Sequence, residues 1–146
     1  MRLSSMADYA VVIMSAAARH CGTCSLIEQA GGKRGRVSAA QLAEETGLPA
    51  PTVQKLVSKL SAAGLMRSSR GAGGGLRLAR PPATISLADI VEAVEGPIAL
   101  TACIDRVKSD CTLEGACTTR SHWPQVNAAV RGALAQVALT QFVEEV

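Results

Sequence analysis

Between residues 38 and 79 the chain places start and stop signals so close together that few folds accommodate them. Ser38 stands three residues before Gln41, the capping-box arrangement, and opens a short helix running through Glu45 that Gly47 ends. Pro49 and Pro51 suit the entry of a further helix. In it Val53, Leu56, Val57 and Leu60 recur at i, i+3, i+4 and i+7 before Gly64 closes the run. Ala43 is small enough for the two helices to cross closely, Gly47 can take the left-handed conformation of a tight turn, and Val53 can fill the angle between them. Two short runs follow, Leu65-Met66-Arg67-Ser68 and Leu76-Arg77-Leu78-Ala79, on either side of Ser69-Arg70-Gly71-Ala72-Gly73-Gly74-Gly75. The pattern predicts a helix-turn-helix followed by a β-hairpin with a glycine-rich tip, a wing.

The rest of the chain reads as helical. Aromatic residues make up 2% of 146, so Ala, Leu, Val and Ile must build the core, and their long periodicities favour helices over an all-β fold. Ser5 can cap a first helix with Met6, Tyr9, Ala10, Ile13 and Ala17 on its apolar side, ending near His20 and Cys21. A loop over residues 22–37 follows, with a short helical turn at 26–29. Ser86 caps Leu87–Glu95, which Gly96-Pro97 ends. Pro124 begins a long helix whose Val126, Val130, Ala133 and Val137 alternate by three and four, joined by Leu134 and Phe142. That stripe, with the small Ala128, Ala129 and Gly132 beside it, points to a homodimer through this helix, against the alternative of packing on its own domain. The expected fold is mainly α with a small β-wing: a winged helix-turn-helix domain over 1–97, a cysteine-containing loop over 98–120 and a dimerisation helix over 121–146. No run of 18 apolar residues occurs, and Arg2 and Asp8 interrupt the N-terminal segment, so a cytoplasmic protein without membrane attachment is expected.

Charge sharpens the function. Residues 33–80 hold nine Lys and Arg against Glu44 and Glu45, a local charge of +7 in a chain of formal charge +3. Taken alone such a run is a solvated basic face; on a winged helix it is where a polyanion docks. The buried stripe of the second helix leaves Thr52, Gln54, Lys55, Ser58 and Lys59 outward, with hydroxyl, amide and ammonium groups suited to base edges and phosphates. On the wing, Arg67 and Arg77 flank the tip, Gly73 lets backbone approach a sugar-phosphate chain, and Arg70 can enter a minor groove. A nucleotide-binding loop is the weaker alternative, because no Lys-Ser/Thr closes a P-loop and the glycines precede a strand. The partner expected is a double-stranded DNA operator.

Cys103, Cys111 and Cys117, with seven and then five residues between them, follow this module. Five cysteines, an odd number, suit ligands or free thiols better than a disulfide framework. Thiolates bind iron strongly, and Zn²⁺ could equally take Cys103, Cys111, Cys117 and His122, so the cysteines alone do not choose the metal.

Several segments together resemble the iron-sulfur winged-helix regulators of the IscR and NsrR type. They are Met1-Arg2-Leu3-Ser4 with Asp8-Tyr9-Ala10-Val11, Thr46-Gly47-Leu48-Pro49, Arg70-Gly71-Ala72-Gly73-Gly74-Gly75-Leu76, residues 85–96 and the three cysteines. Asp8-Tyr9-Ala10-Val11-Val12, and Glu95-Gly96-Pro97 leading to Thr101-Ala102-Cys103, look most like regulators of SUF iron-sulfur assembly. The resemblance implies a dimeric repressor or activator controlling cluster-assembly genes, with a [2Fe-2S] or [4Fe-4S] cluster on Cys103, Cys111 and Cys117. Two departures stand out. The seven-residue spacing exceeds the five typical of IscR, and the histidine expected three residues after the last cysteine is Arg120, with His122 displaced by two. A guanidinium stays protonated and is no ordinary ligand. NsrR-like regulators recruit an aspartate from the first helix of the other subunit, which makes Asp8 the candidate fourth ligand, with His122 and Glu114 in reserve. The plain alternative for Asp8 is a carboxylate favoured by the helix dipole.

Cys21 and Cys24 form a separate Cys-x-x-Cys pair, but no βαβ setting surrounds it, and two free thiols are the simpler reading. Two other classes compete with a cluster-dependent regulator: a winged-helix regulator answering to thiol oxidation, nitric oxide or zinc, and a non-DNA scaffold or thiol enzyme, against which the wing argues. No catalytic triad or carboxylate pair is recognisable, and no enzyme is expected.

Overall fold

The structure is a computed structural model that describes residues 1–21, 35–105, 107 and 110–143. The helical turn expected at 26–29, and Cys24 with it, lie outside the described residues. The chain forms α1 (Ser5–His20), α2 (Ala39–Thr46), α3 (Ala50–Ala62), β1 (Met66–Ser69), β2 (Gly75–Leu78), α4 (Leu87–Glu95) and α5 (Trp123–Ala135). Short 3-10 turns stand at Pro82–Thr84, Arg120–His122 and Leu139–Phe142.

Helix α1 is the centre of the body. Its Ala7, Ala10, Ile13, Met14, Ala16, Ala17 and Ala18 are buried on almost every side, as expected of a helix apolar all round. The run of alanines lets α2, α4 and the Leu139–Phe142 turn all pack on it in a core with hardly any aromatic side chain. The cap is Ser4, one residue earlier than expected, whose hydroxyl accepts the Ala7 amide at 3.1 Å.

The helix-turn-helix follows the sequence signals closely. Ser38 and Gln41 make the reciprocal capping box at 3.1 and 3.0 Å, and Gly47 takes φ 71° at the end of α2. Leu42, Val53, Leu56 and Leu60 are fully buried and lock α2 to α3. β1 and β2 pair antiparallel with Met66 opposite Leu78, Arg67 opposite Arg77, Ser68 opposite Leu76 and Ser69 opposite Gly75. Val37 adds a further rung, exchanging both backbone bonds with Leu76 at 2.9 and 2.7 Å. Gly74 is needed for space, since a Cβ there would fall 2.3 Å from the Ser69 carbonyl oxygen. A second capping box, Ser86 with Asp89, starts α4.

The C-terminal segment departs from expectation. The helix expected to run on through Val137 and Phe142 stops at Ala135. Beyond it, Leu87 N–H donates to the Val137 carbonyl and Leu139 N–H to the Ile85 carbonyl, both at 2.8 Å, and Leu139 is fully buried. Strand-like pairing and burial of one leucine replace the next helical turn. The single expected stripe is therefore divided. Val130 and Leu134 are half-buried on the side of α5 that meets α4, whereas Val126 and Ala133 are exposed and Val137 lies outside the helix. Among the described residues no helix is long and apolar enough to cross a membrane.

Candidate nucleic-acid interface and cysteine segment

Burying Val53, Leu56 and Leu60 fixes what α3 presents outward. Gln54, Lys55 and Ser58 are exposed, and Thr52 sits half-buried on the flank. A groove runs from the N-terminus of α2 across this face to the wing, lined by Ser38, Gln54, Ser58, Ser61, Ser68 and Ser69. Most of these hydroxyls went unremarked in the sequence, although serines at 58 and 61 on α3 and at 68 and 69 on β1 bring two elements of the same chemistry side by side. The Ser61 Oγ is buried with no hydrogen-bond partner among the described residues.

The wing carries its cations as expected. Arg70 is exposed at the tip, and Arg67 and Arg77 stand directly opposite each other across the hairpin. Like charges in that register destabilise a hairpin in isolation and favour an anionic partner. Gly73 is half-buried and its carbonyl accepts from the Arg36 guanidinium, which clasps the turn from outside the hairpin. Arg36 counted only as one of a basic cluster in the sequence; its place immediately before the Val37 rung is the signal for this role.

Lys59 is exposed on α3, as the outward reading has it, and is also engaged within the chain. Its ammonium donates to the Val94 carbonyl at 2.8 Å, in the last turn of α4. Its position on α3, between the buried Leu56 and Leu60 and the outward face, accounts for that contact.

After α4 the chain enters the cysteine segment. Cys103, Cys111 and Cys117 are free thiols, each half-exposed. The Thr101 hydroxyl lies 3.1 Å from the Cys103 sulfur and the Thr119 hydroxyl 3.3 Å from that of Cys117. The hydrogen bond from the Thr119 side chain, then the Thr119 and Arg120 amides and the Arg120 charge, hold the Cys117 thiol below the usual cysteine range. Arg120, where a histidine was expected, pairs with Glu114 at 2.8 Å, while His122 is exposed in a 3-10 turn. Asp8 is exposed in the first turn of α1.

Three thiols, one biased toward thiolate, are chemically suited to an iron-sulfur group. Within one chain they are not gathered: among the described residues no three His, Cys, Asp or Glu side chains come together to hold a metal ion. Cys21, of the Cys-x-x-Cys pair, is buried, with its thiol 3.7 Å from the Gly35 carbonyl.

Two helices joined at a left-handed glycine, a cationic wing and a polar outward face define a winged helix-turn-helix transcription regulator. The profile of the Rrf2 family, described as an iron-dependent transcriptional regulator, matches residues 3–145, and the chain belongs to that family. The chain is 30% identical over 145 residues to the HTH-type transcriptional regulator IscR of Vibrio vulnificus, covering 99% of this chain and 79% of that protein. IscR of T. potens superimposes with a TM-score of 0.69 at 28% identity, over 99% of this chain and 88% of that one. CymR, the global cysteine regulator of B. subtilis, gives 0.67 at 27% identity, over 100% and 98%.

Proposed function

We propose that this regulator reads iron-sulfur status in the cytoplasm through Cys103, Cys111 and Cys117 and controls iron-sulfur assembly genes by binding operator DNA as a homodimer. It binds rather than catalyses. The observation that carries this reading is a set of three free thiols on one segment directly after the winged-helix body. The iron-dependent description of the family and the IscR relatives support it. When bound, a [2Fe-2S] or [4Fe-4S] cluster supplies a redox-active, exchangeable centre.

The chain's own residues set the conditions. The Thr119 hydroxyl beside Cys117 favours the thiolate form that ligates metal, and the Thr101 hydroxyl stands beside the Cys103 sulfur. Asp8 remains the proposed fourth ligand, supplied by the other subunit. Support comes from the open strip of α1, where Asp8 and Val12 are exposed, and from the exposed Val126, Ala129 and Ala133 of α5, an apolar face for a second copy. On DNA, Thr52, Gln54 and Lys55 would meet base edges, and Arg67, Arg70 and Arg77 the backbone and minor groove, with Gly73 shaping the turn.

The test is anaerobic purification and reconstitution, with visible absorption, iron and sulfide analysis, and operator binding with and without the centre. Colourless, iron-free protein after reconstitution would sink the cluster reading. Asp8→Ala is expected to destabilise the cluster without unfolding the chain, and unchanged cluster lifetime would remove Asp8 as ligand. Val126→Ser is expected to shift sedimentation toward monomer.

A second reading, regulation by thiol oxidation, draws on the lowered Cys117 thiol and the likeness to CymR. It predicts that a mild oxidant alone changes operator affinity in metal-free protein.

A further inference from the structure

Polar contacts from two directions meet on the last turn of α4 and the residues just after it. From the recognition helix, Lys59 Nζ donates to the Val94 carbonyl at 2.8 Å, one of the carbonyls a helix end leaves without an internal partner. From α5, Arg131 closes on Glu92 with Nε and Nη2, each at 2.9 Å, and the same carboxylate accepts the Ile98 amide at 3.3 Å. Asn127, also on α5, holds the backbone on either side of Ala99 in the stretch that follows. Its Nδ2 donates to the Ile98 carbonyl at 2.8 Å and its Oδ1 accepts the Leu100 amide at 3.0 Å. Three residues further on stands Cys103.

We infer that Lys59 and Asn127 are positioning residues at the two ends of one linkage: Asn127 fixes the root of the cysteine segment, and Lys59 ties the recognition helix to the α4 turn from which that segment springs. In this linkage neither acts through a contact with DNA. The apolar contact of α3 with α4 and of α4 with α5 makes the same path in packed side chains. The polar ties add to it, because the Asn127 amide pairs one donor with one acceptor and the Lys59 ammonium needs a carbonyl within reach of its tip. A shift of the cysteine segment thereby alters the carbonyl on which Lys59 rests, and with it the seat of α3. That the shift carries a metal signal rests on the proposed function; the linkage itself does not.

The full chain is tested on an operator fragment selected from random DNA by the unsubstituted protein, with each variant checked for folding by its thermal melt. Lys59→Met is expected to weaken binding about fivefold to tenfold while leaving the slope of log affinity against log salt unchanged. Lys59→Arg, which keeps a donor, restores affinity. In combination, Lys59→Met and Asn127→Ala are expected to lose no more than the worse single change, since both cut one path. A slope reduced by about 0.9 would make Lys59 a phosphate contact instead. Unchanged affinity in Lys59→Met, or losses that multiply within about twofold, would overturn the linkage. A second arm compares protein reconstituted anaerobically with iron and sulfide against metal-free protein. Asn127→Ala is expected to bring the ratio of the two affinities toward one, and a ratio equal to that of the unsubstituted chain would count against the linkage. If the unsubstituted chain itself shows no difference, the sensing proposal fails, while the salt slope and the double substitution still decide the linkage.

Discussion

Helices α3 and α5 are each thirteen residues long, each carries proline in its first turn, and neither has a side-chain cap, yet the molecule holds them differently. α3 sinks Val53, Leu56 and Leu60 into the core without exposing any of the three. α5 buries no residue at all and meets the body mainly through α4, with half-buried Val130 and Leu134 and the Asn127 and Arg131 ties. Local propensity therefore does not set how firmly a helix is seated. Burial does: the second helix of the helix-turn-helix is seated in the core, while the helix beside the cysteines leaves Val126, Ala129 and Ala133 exposed.

The sharpest way to break this comparison is to cut equivalent leucines. Leu56→Ala is expected to destabilise the fold by about 2–5 kcal/mol, the range for a fully buried leucine. Leu134→Ala should cost about 1 kcal/mol or less, because its side chain already meets solvent. Denaturant unfolding measures both, and comparable losses would mean that α5 is as firmly seated as α3.

Next in size is the start of the helix-turn-helix. Ser38→Ala removes the hydroxyl that accepts the Gln41 amide and should cost about 1 kcal/mol in the same unfolding experiment. It also strips one hydroxyl from the serine groove, so operator affinity should fall more than the stability loss alone explains. Equal affinity would confine Ser38 to capping.

Acid should loosen α5 before it unfolds the body. The Arg131 hydrogen bonds hold the Glu92 carboxyl below the usual glutamate range, with the Ile98 amide helping and partial burial opposing. A carboxylate depressed in the folded state contributes stability that is complete above its unfolded value of about 4.3 and is lost as pH falls through the folded value. Exchange of the Ile98 and Leu100 amides is therefore expected to accelerate, beyond the intrinsic pH effect, below about pH 4. Glu92→Gln should abolish that acid-dependent step; its persistence would place the titrating group elsewhere.

The same contrast explains what could be read in the sequence. From residue 38 to 96 each boundary is written locally, by Ser38 with Gln41, Gly47, Pro51, Gly64 and Ser86 with Asp89, and the structure follows them to within a residue or two. Past Gly96 the deciding contacts are distant in sequence. Leu139 reaches the Ile85 carbonyl and Arg131 reaches Glu92, so a clean three-four periodicity through Val137 says nothing of where the helix must stop. Lys59 was legible as a basic residue on α3, but its acceptor, 35 residues away, was not. Arg36 was legible as charge and not as the clasp on Gly73.

The smallest expected effect lies in the wing and has opposite signs in the two measurements. Arg67 and Arg77 face each other across the hairpin, where two guanidinium groups repel unless an anion lies over them. Arg67→Ser should raise the melting temperature of the free protein by about 1 °C at low salt. At about 1 M salt, where screening acts within some 3 Å, the gain should vanish. On operator DNA the same change should weaken binding and lower the salt slope by about 0.9, the share of one phosphate. A wing that gained stability without losing affinity would carry its cations for solubility. One that lost affinity with no gain in the free protein would have its repulsion already relieved by solvent. Opposite signs together identify the pair as a charge arrangement that is unfavourable in the free chain and satisfied by the nucleic acid backbone.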